Sequence, residues 1–223
     1  MTGPEQKPKV FERENRGLEF DRVSFFSDAI YAIAMTLLVV DLRAPDLPEG
    51  AGASDLLAAL TDLESGVFGF FLGFLLLGRY WIAHHHFFRL LGGIDGGLIS
   101  LNLLYLAFVA FMPFPVSLIS QYGGDAVSFV LFALSMATIS LLELVMLLRA
   151  VRGGLTRVTP SREVLRYCVL ASGSPAVIML GSLPLALWST TAALLSWLVM
   201  IPLGRWVDRI RPPGFRAFAD AEP

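Results

Sequence analysis

The chain has 223 residues, of which 55% are hydrophobic and only 16% charged. A soluble domain is nearer half apolar with about a quarter charged, so an ordinary soluble fold is excluded. With a net charge of −2 and a single cysteine, Cys168, there is no general basic surface, no intrachain disulfide and no cage of cysteines around a metal.

The first 22 residues are polar and charged, with no apolar core ahead of the first long apolar block. They read as a mobile cytoplasmic arm (1–22) rather than a cleaved signal peptide. The apolar residues then fall into six blocks, near 23–42, 66–88, 97–119, 126–148, 166–187 and 190–208, each about the 20 residues a helix needs to cross a bilayer. The expected fold is an all-α integral membrane protein of six transmembrane helices. No internal repeat or second domain is visible, so 23–208 reads as one membrane domain and 209–223 as a cytoplasmic tail.

Between the first two blocks, SDLLAALTDLES suggests a short helix capped by Ser54. Gly69 and Gly73 stand at the four-residue spacing that lets helices approach closely. Pro113 and Pro115 should end or kink the third span, and Pro175 and Pro184 should bend the fifth. Gln121 to Asp125 reads as a tight turn. Glu143, near the end of the fourth span, is expected at the membrane interface, paired with a neighbouring arginine. A short turn capped by Ser189 or Thr190 makes the last two spans antiparallel neighbours.

Six spans put both termini on one side, and all of the 17 Lys and Arg except Arg43 fall on that side. The positive-inside rule makes it the cytoplasm. Topology explains these basic residues, so they do not imply nucleic acid. Asp41, Asp46, Glu49, Asp55, Asp62, Glu64 and Asp125 fall on the outer side. Repeated around an oligomer they would form an acidic mouth that gathers cations, and otherwise they are a solvated acidic loop.

The chain is organised around Arg22 to Leu42. Asp28 stands within this membrane-length segment, and a carboxylate there should face protein or water rather than lipid. At about 100° per residue, Asp28 shares a face with Ser24, Tyr31 and Met35, away from Ile33. It is therefore expected to point into the subunit, towards Trp81, His84 or His85, and Asn102. On another face Ile33, Leu37 and Val40 lie within about 40° of one stripe. Phe26 and Ile30 extend it and Thr36 flanks it. From the residues alone the stripe is either core packing or the wall of a pore.

His84, His85 and His86 are consecutive, so their side chains fan out around the helix by about 100° each and cannot converge on one metal ion. No metal site is expected. Neither a Ser/His/Asp grouping on one membrane face nor a phosphate-binding loop is present, so no catalytic residues are assigned.

Arg22, Phe26, Ser27 and Asp28 form the pattern R-x-x-x-F-S-D at the head of the first span. It resembles the signature of the transmembrane protein 175 family, the endosomal and lysosomal potassium channels and their bacterial relatives. Ile33, Thr36 and Leu37, then Trp81-x-x-His84-His85, then Asn102 and Pro113-x-Pro115 continue the likeness through the third span. Over the last three spans it is topological. The resemblance implies the single-repeat bacterial branch: a homotetramer in the cell membrane whose first helix lines a pore for monovalent cations. Potassium would be the permeant ion, and no cofactor is implied. Carried over, the family's pore positions fall on Ile33, Leu37 and Val40, with Thr36 beside them. Arg22, Phe26, Ser27, Asp28, Trp81, His84, His85 and Asn102 would then be the signature and the polar network that braces the pore helix. A TVGYG-like filter is absent from the sequence, so carbonyl-ring selectivity is not available. Two other functions compete with a passive potassium channel. One is a proton-coupled transporter using Asp28 with His84 or His85, against which the missing repeat counts. The other is a membrane scaffold without transport.

Overall fold

The computed structural model describes residues 10–12 and 17–219. Among these, six helices are long and apolar enough to cross a membrane: Phe20–Asp41, Glu64–Leu90, Gly96–Gln121, Ala126–Arg152, Arg162–Ala186 and Thr190–Arg209. The protein is an all-α integral membrane protein with six spans, apart from one short ribbon of two strands.

The first span is α1 (Gly17–Leu37), which tightens into a 3-10 turn over Leu38–Asp41. After α2 (Ala53–Asp62) comes α3 (Glu64–Leu90). The α2 cap differs from expectation. Gly52 is the cap and its N–H donates to Asp55 Oδ2 at 2.8 Å, so Ser54 lies in the first turn. The third span is broken at Met112 into α4 (Gly96–Phe111) and α5 (Pro113–Gln121). Pro113 has no N–H to give the preceding turn, so a new helix starts there. The fourth span is the single helix α6 (Ala126–Arg152), capped by Asp125. Pro175 is accommodated inside α7 (Arg162–Gly181), and the fifth span breaks only at Ser182, before α8 (Leu183–Ala186). Ser189 caps α9 (Thr190–Ser196), which runs through a 3-10 turn into α10 (Met200–Arg209).

The glycines of α3 set its packing. A Cβ at Gly69 would overlap the Ser120 side chain, and one at Gly73 would meet Val116 Cγ2 at 2.9 Å. The α3 backbone therefore lies directly on α5. At the centre of the subunit is α6, flanked by α4, α5 and α7. By contrast α1 lies at one edge, against α3 and α4, and α10 lies at the other, against α7.

On the side of the termini, β1 (Val10–Glu12) pairs antiparallel with β2 (Gly93–Asp95), just before α4. Leu91 bridges to Thr156, so the second and fourth loops are tied together. Asp95 caps α4 through the Leu98 N–H and also holds Arg149 of α6 at 2.5 Å. The arm expected to be mobile over 1–22 is thus ordered at 10–12 and helical from 17. Its residues 1–9 and 13–16 lie outside the described residues. In the C-terminal tail, α11 (Phe215–Ala219) folds back and buries Phe218 against α3.

Candidate functional site: the first helix and its polar brace

One face of α1 is buried at Phe20, Ser27, Tyr31 and Ala34, and Leu38 continues that line into the 3-10 turn. These positions recur every three, four or seven residues, which is one side of a helix. Polar groups buried here without partners would cost about 1–3 kcal/mol each, and every one has a partner. His84 Nε2 of α3 lies 2.8 Å from Asn102 Oδ1 of α4. A carbonyl oxygen only accepts, so this nitrogen carries the proton. Asn102 Nδ2 in turn donates to Ser27 Oγ at 3.0 Å, and Ser27 donates to the Val23 carbonyl at 2.8 Å. The result is a directional chain from α3 through α4 to α1, with His84, Asn102 and Ser27 all buried. Its floor is aromatic. The His84 ring is stacked at 5.2 Å on Tyr105, whose hydroxyl meets that of Tyr31.

Asp28 belongs to a separate bond. Trp81 Nε1 donates to Asp28 Oδ1 at 2.8 Å on the flank of α1, where Trp81 is partly exposed. The expected Asp28–Trp81 contact is thus present and Asp28 is half-buried, but the residue that meets Asn102 at the centre is Ser27, one position earlier and about 100° away. His85 also stands apart from the chain, exposed, with its ring 5.9 Å from Trp81. Asp28 makes no hydrogen bond to His84 or His85 among the described residues, so the three do not form a continuous relay. Arg22 is exposed one turn before Phe26.

Phe26, Ile33 and Leu37 of α1 and Val40 of the 3-10 turn face away from the subunit, whereas Val23, Ile30 and Met35 pack against the core, so Ile30 does not extend the outward stripe as expected. Phe26, Ile33, Leu37 and Val40 are 49%, 54%, 45% and 62% exposed. Thr36 is exposed beside them and donates its hydroxyl to the Ile33 carbonyl at 2.9 Å. Its oxygen lone pairs remain free to accept.

A second polar group, which the sequence reading missed, joins the two halves of the subunit. Tyr80 of α3 bonds Ser140 of α6, both buried. The sequence reading set Tyr31 on the Asp28 face and gave Tyr80 and Tyr105 no partner. The available signal was spacing: Tyr31 follows Ser27 by four, on the same helical face. Glu143 corrects another expectation. It is buried within α6, nine residues before Arg152, and forms no ion pair among the described residues. At about 1.5 Å per residue that is some 13 Å inside the helix end, too deep for an interfacial pair.

The family model for the endosomal/lysosomal potassium channel TMEM175 matches residues 22–113. A potassium channel of Streptomyces collinus is 36% identical over 104 residues, which are 47% of this chain and 49% of the relative. The endosomal/lysosomal proton channel TMEM175 of Gallus gallus is 31% identical over 111 residues, 48% of this chain and 22% of that protein. The chain spans about half the length of the bacterial relatives it matches. Among solved structures, a lysosomal potassium-selective channel TMEM175 homolog from Chamaesiphon minutus superimposes with a TM-score of 0.71 at 23% identity. That superposition covers 87% of this chain and 99% of the other, so the likeness of fold extends well past the matched residues.

Proposed function

Through residues 22–113 the chain belongs to the TMEM175 family, and on that premise we propose that it is one subunit of a potassium-selective cation channel. Four copies surround a central pore lined by α1, and ions pass down their gradient without coupling to protons. The observation that carries this reading is the division of α1. Ser27 is hydrogen-bonded inside the subunit, while Phe26, Ile33 and Leu37, with Val40 of the following 3-10 turn, are left outward at the subunit edge.

In a ring of four, that stripe faces the axis. Branched side chains at Ile33 leave little room for a hydrated ion, and an apolar neck of this kind can close by dewetting. When open, it must strip part of the ion's water. Potassium holds its water less tightly than sodium, so the neck favours potassium. Thr36 supports this from beside Ile33, because its proton is already given to the helix and its lone pairs can meet a cation. The hydrogen-bonded chain His84–Asn102–Ser27 acts one step back. It fixes the rotation of α1 about its own axis and so decides which residues reach the pore.

Both termini lie in the cytoplasm of a cell-membrane protein in this reading, from the basic residues gathered on their side. Potassium is the permeant ion rather than a resident cofactor, and the chain performs no catalysis. The test is flux from liposomes loaded with the purified protein, with a pH dye inside. Potassium should leave down its gradient with no matching proton movement. Strict proton coupling would favour a transporter, and absence of flux would favour a scaffold.

A further inference from the structure

At the opposite edge of the subunit from α1, a cleft of about 500 Å³ opens where α7 begins and α10 ends. Its charged wall carries Arg166, Arg209 and Arg211, with Glu163 among them. Arg211 is committed: it holds Asp208 at 2.5 Å, donates to the Tyr167 hydroxyl at 3.3 Å and lies over the Phe215 ring. Tyr167 packs edge-on against the same ring at 4.9 Å, which braces the floor of the cleft. Arg166 and Arg209 have no ion pair among the described residues. Setting the three arginines against Glu163 and Asp208 leaves one positive charge.

The depth of the cleft is that of a lipid head group. It sits where the fifth span starts and the sixth stops. Trp206 is half exposed one turn before Ile210 of the wall, and tryptophan favours the membrane–water boundary. The apolar wall also continues along the helix. Leu170 lines the cleft, and Val177, on the same face of α7, is 71% exposed towards the bilayer. Seven residues separate them, about 10 Å of helix, long enough to lay an acyl chain against. A free phosphate would use the arginines but would leave this track empty.

We propose that the cleft is a binding site for a monoanionic phospholipid, its phosphodiester on Arg166 and Arg209 and an acyl chain along Leu170 and Val177. Basic pockets between helices at the cytoplasmic boundary suit such head groups. The single excess charge favours one phosphate over a polyanionic head group. The Arg211–Asp208–Tyr167 contacts hold the C-terminal segment in place as the far wall.

The experiment reads binding and needs no ion conduction, so it stands or falls apart from the channel reading. The full chain, purified in detergent, is titrated with phosphatidylglycerol, phosphatidylcholine or inorganic phosphate, and bound lipid is counted by native mass spectrometry. Phosphatidylglycerol should bind at least tenfold more tightly than phosphatidylcholine, and inorganic phosphate at the same concentrations should not displace it. R166Q/R209Q should lose that preference, while Arg205→Gln, outside the cleft wall, should keep it. Should R166Q/R209Q fail to fold, brominated lipids replace it. Brominated phosphatidylglycerol should quench the Trp206 emission, taken as the difference between wild type and W206F, more than brominated phosphatidylcholine does. Equal affinity for the two lipids, displacement by phosphate, retention of the preference in R166Q/R209Q, or equal quenching would each overturn the site.

Discussion

In the first three spans the crossed side-chain bonds converge on α1 and its two neighbours, whereas in the last three they are scattered among bonds that turn back to the same helix. Trp81 meets Asp28, His84 meets Asn102, Asn102 meets Ser27, and Tyr31 meets Tyr105, each pair joining two different helices. In the later spans Ser135, Thr138, Ser174 and Ser196 each donate to a carbonyl three or four residues back. Trp197 with Ser182, Tyr167 with Asp208 and Ser140 with Tyr80 of α3 are crossed bonds there, and none of them reaches α1. A crossed bond specifies both register and rotation of a helix, because both partners must arrive together. A bond within one helix specifies neither. The crossed bonds of the first half thus meet at α1, while α6 packs at the centre and is tied to the first half through Tyr80–Ser140 and Asp95–Arg149. The family match stops at residue 113, near the end of the crossed bonds, while the likeness of fold covers 87% of the chain. Packing by shape can be met by many sequences; a chain of donors and acceptors cannot.

Asn102 is the residue on which the crossed bonds depend most. Replacing it with leucine leaves His84 and Ser27 without the partner that joins them, at about 1–3 kcal/mol for each buried group. Asn102→Leu should show a clearly lower melting temperature and a weakened oligomer on size-exclusion chromatography. An unchanged melting temperature would mean that the chain of bonds does not orient α1. Trp81→Phe should cost less, about 1 kcal/mol, since its bond lies on the partly exposed flank. Combined with Asp28→Ala, it should add less than the sum of the two single changes. Full additivity in a double-mutant cycle would separate the pair. The smallest effects belong to the later spans: Ser135→Ala and Thr138→Val should each stay within about 0.5 kcal/mol of wild type. A loss as large as that of Asn102→Leu would erase the contrast between the halves.

Spans, breaks and tight contacts were legible because each follows from local chemistry. Length gave the six helices, Pro113 gave the break, and Gly69 and Gly73 gave the close approach to α5. The assignment of neighbours was harder. Ser27 and Asp28 are both polar and adjacent, and the charged one drew the inward reading; which of them faces the centre depends on how α1 is rotated against α4. Glu143 was placed at the interface because the fourth span was read as ending near 148, but α6 continues to Arg152. Tyrosine hydroxyls were hidden because a tyrosine in a span looks apolar until its partner on another helix is known. The β1–β2 ribbon joins residues more than 80 positions apart and carries no local periodicity long enough to read.

In a channel of this kind α1 shows its apolar stripe to the ion path, and Ile33 is the position that tests this most directly. Ile33→Asn and Ile33→Ala, reconstituted into liposomes beside wild type, are compared for potassium and sodium flux under matched gradients. Both variants should assemble normally, raise cation leak and lower the preference for potassium over sodium, the asparagine more than the alanine because it also wets the neck. Normal assembly with unchanged selectivity would remove Ile33 from the pore and return the stripe to packing against lipid or a neighbouring helix.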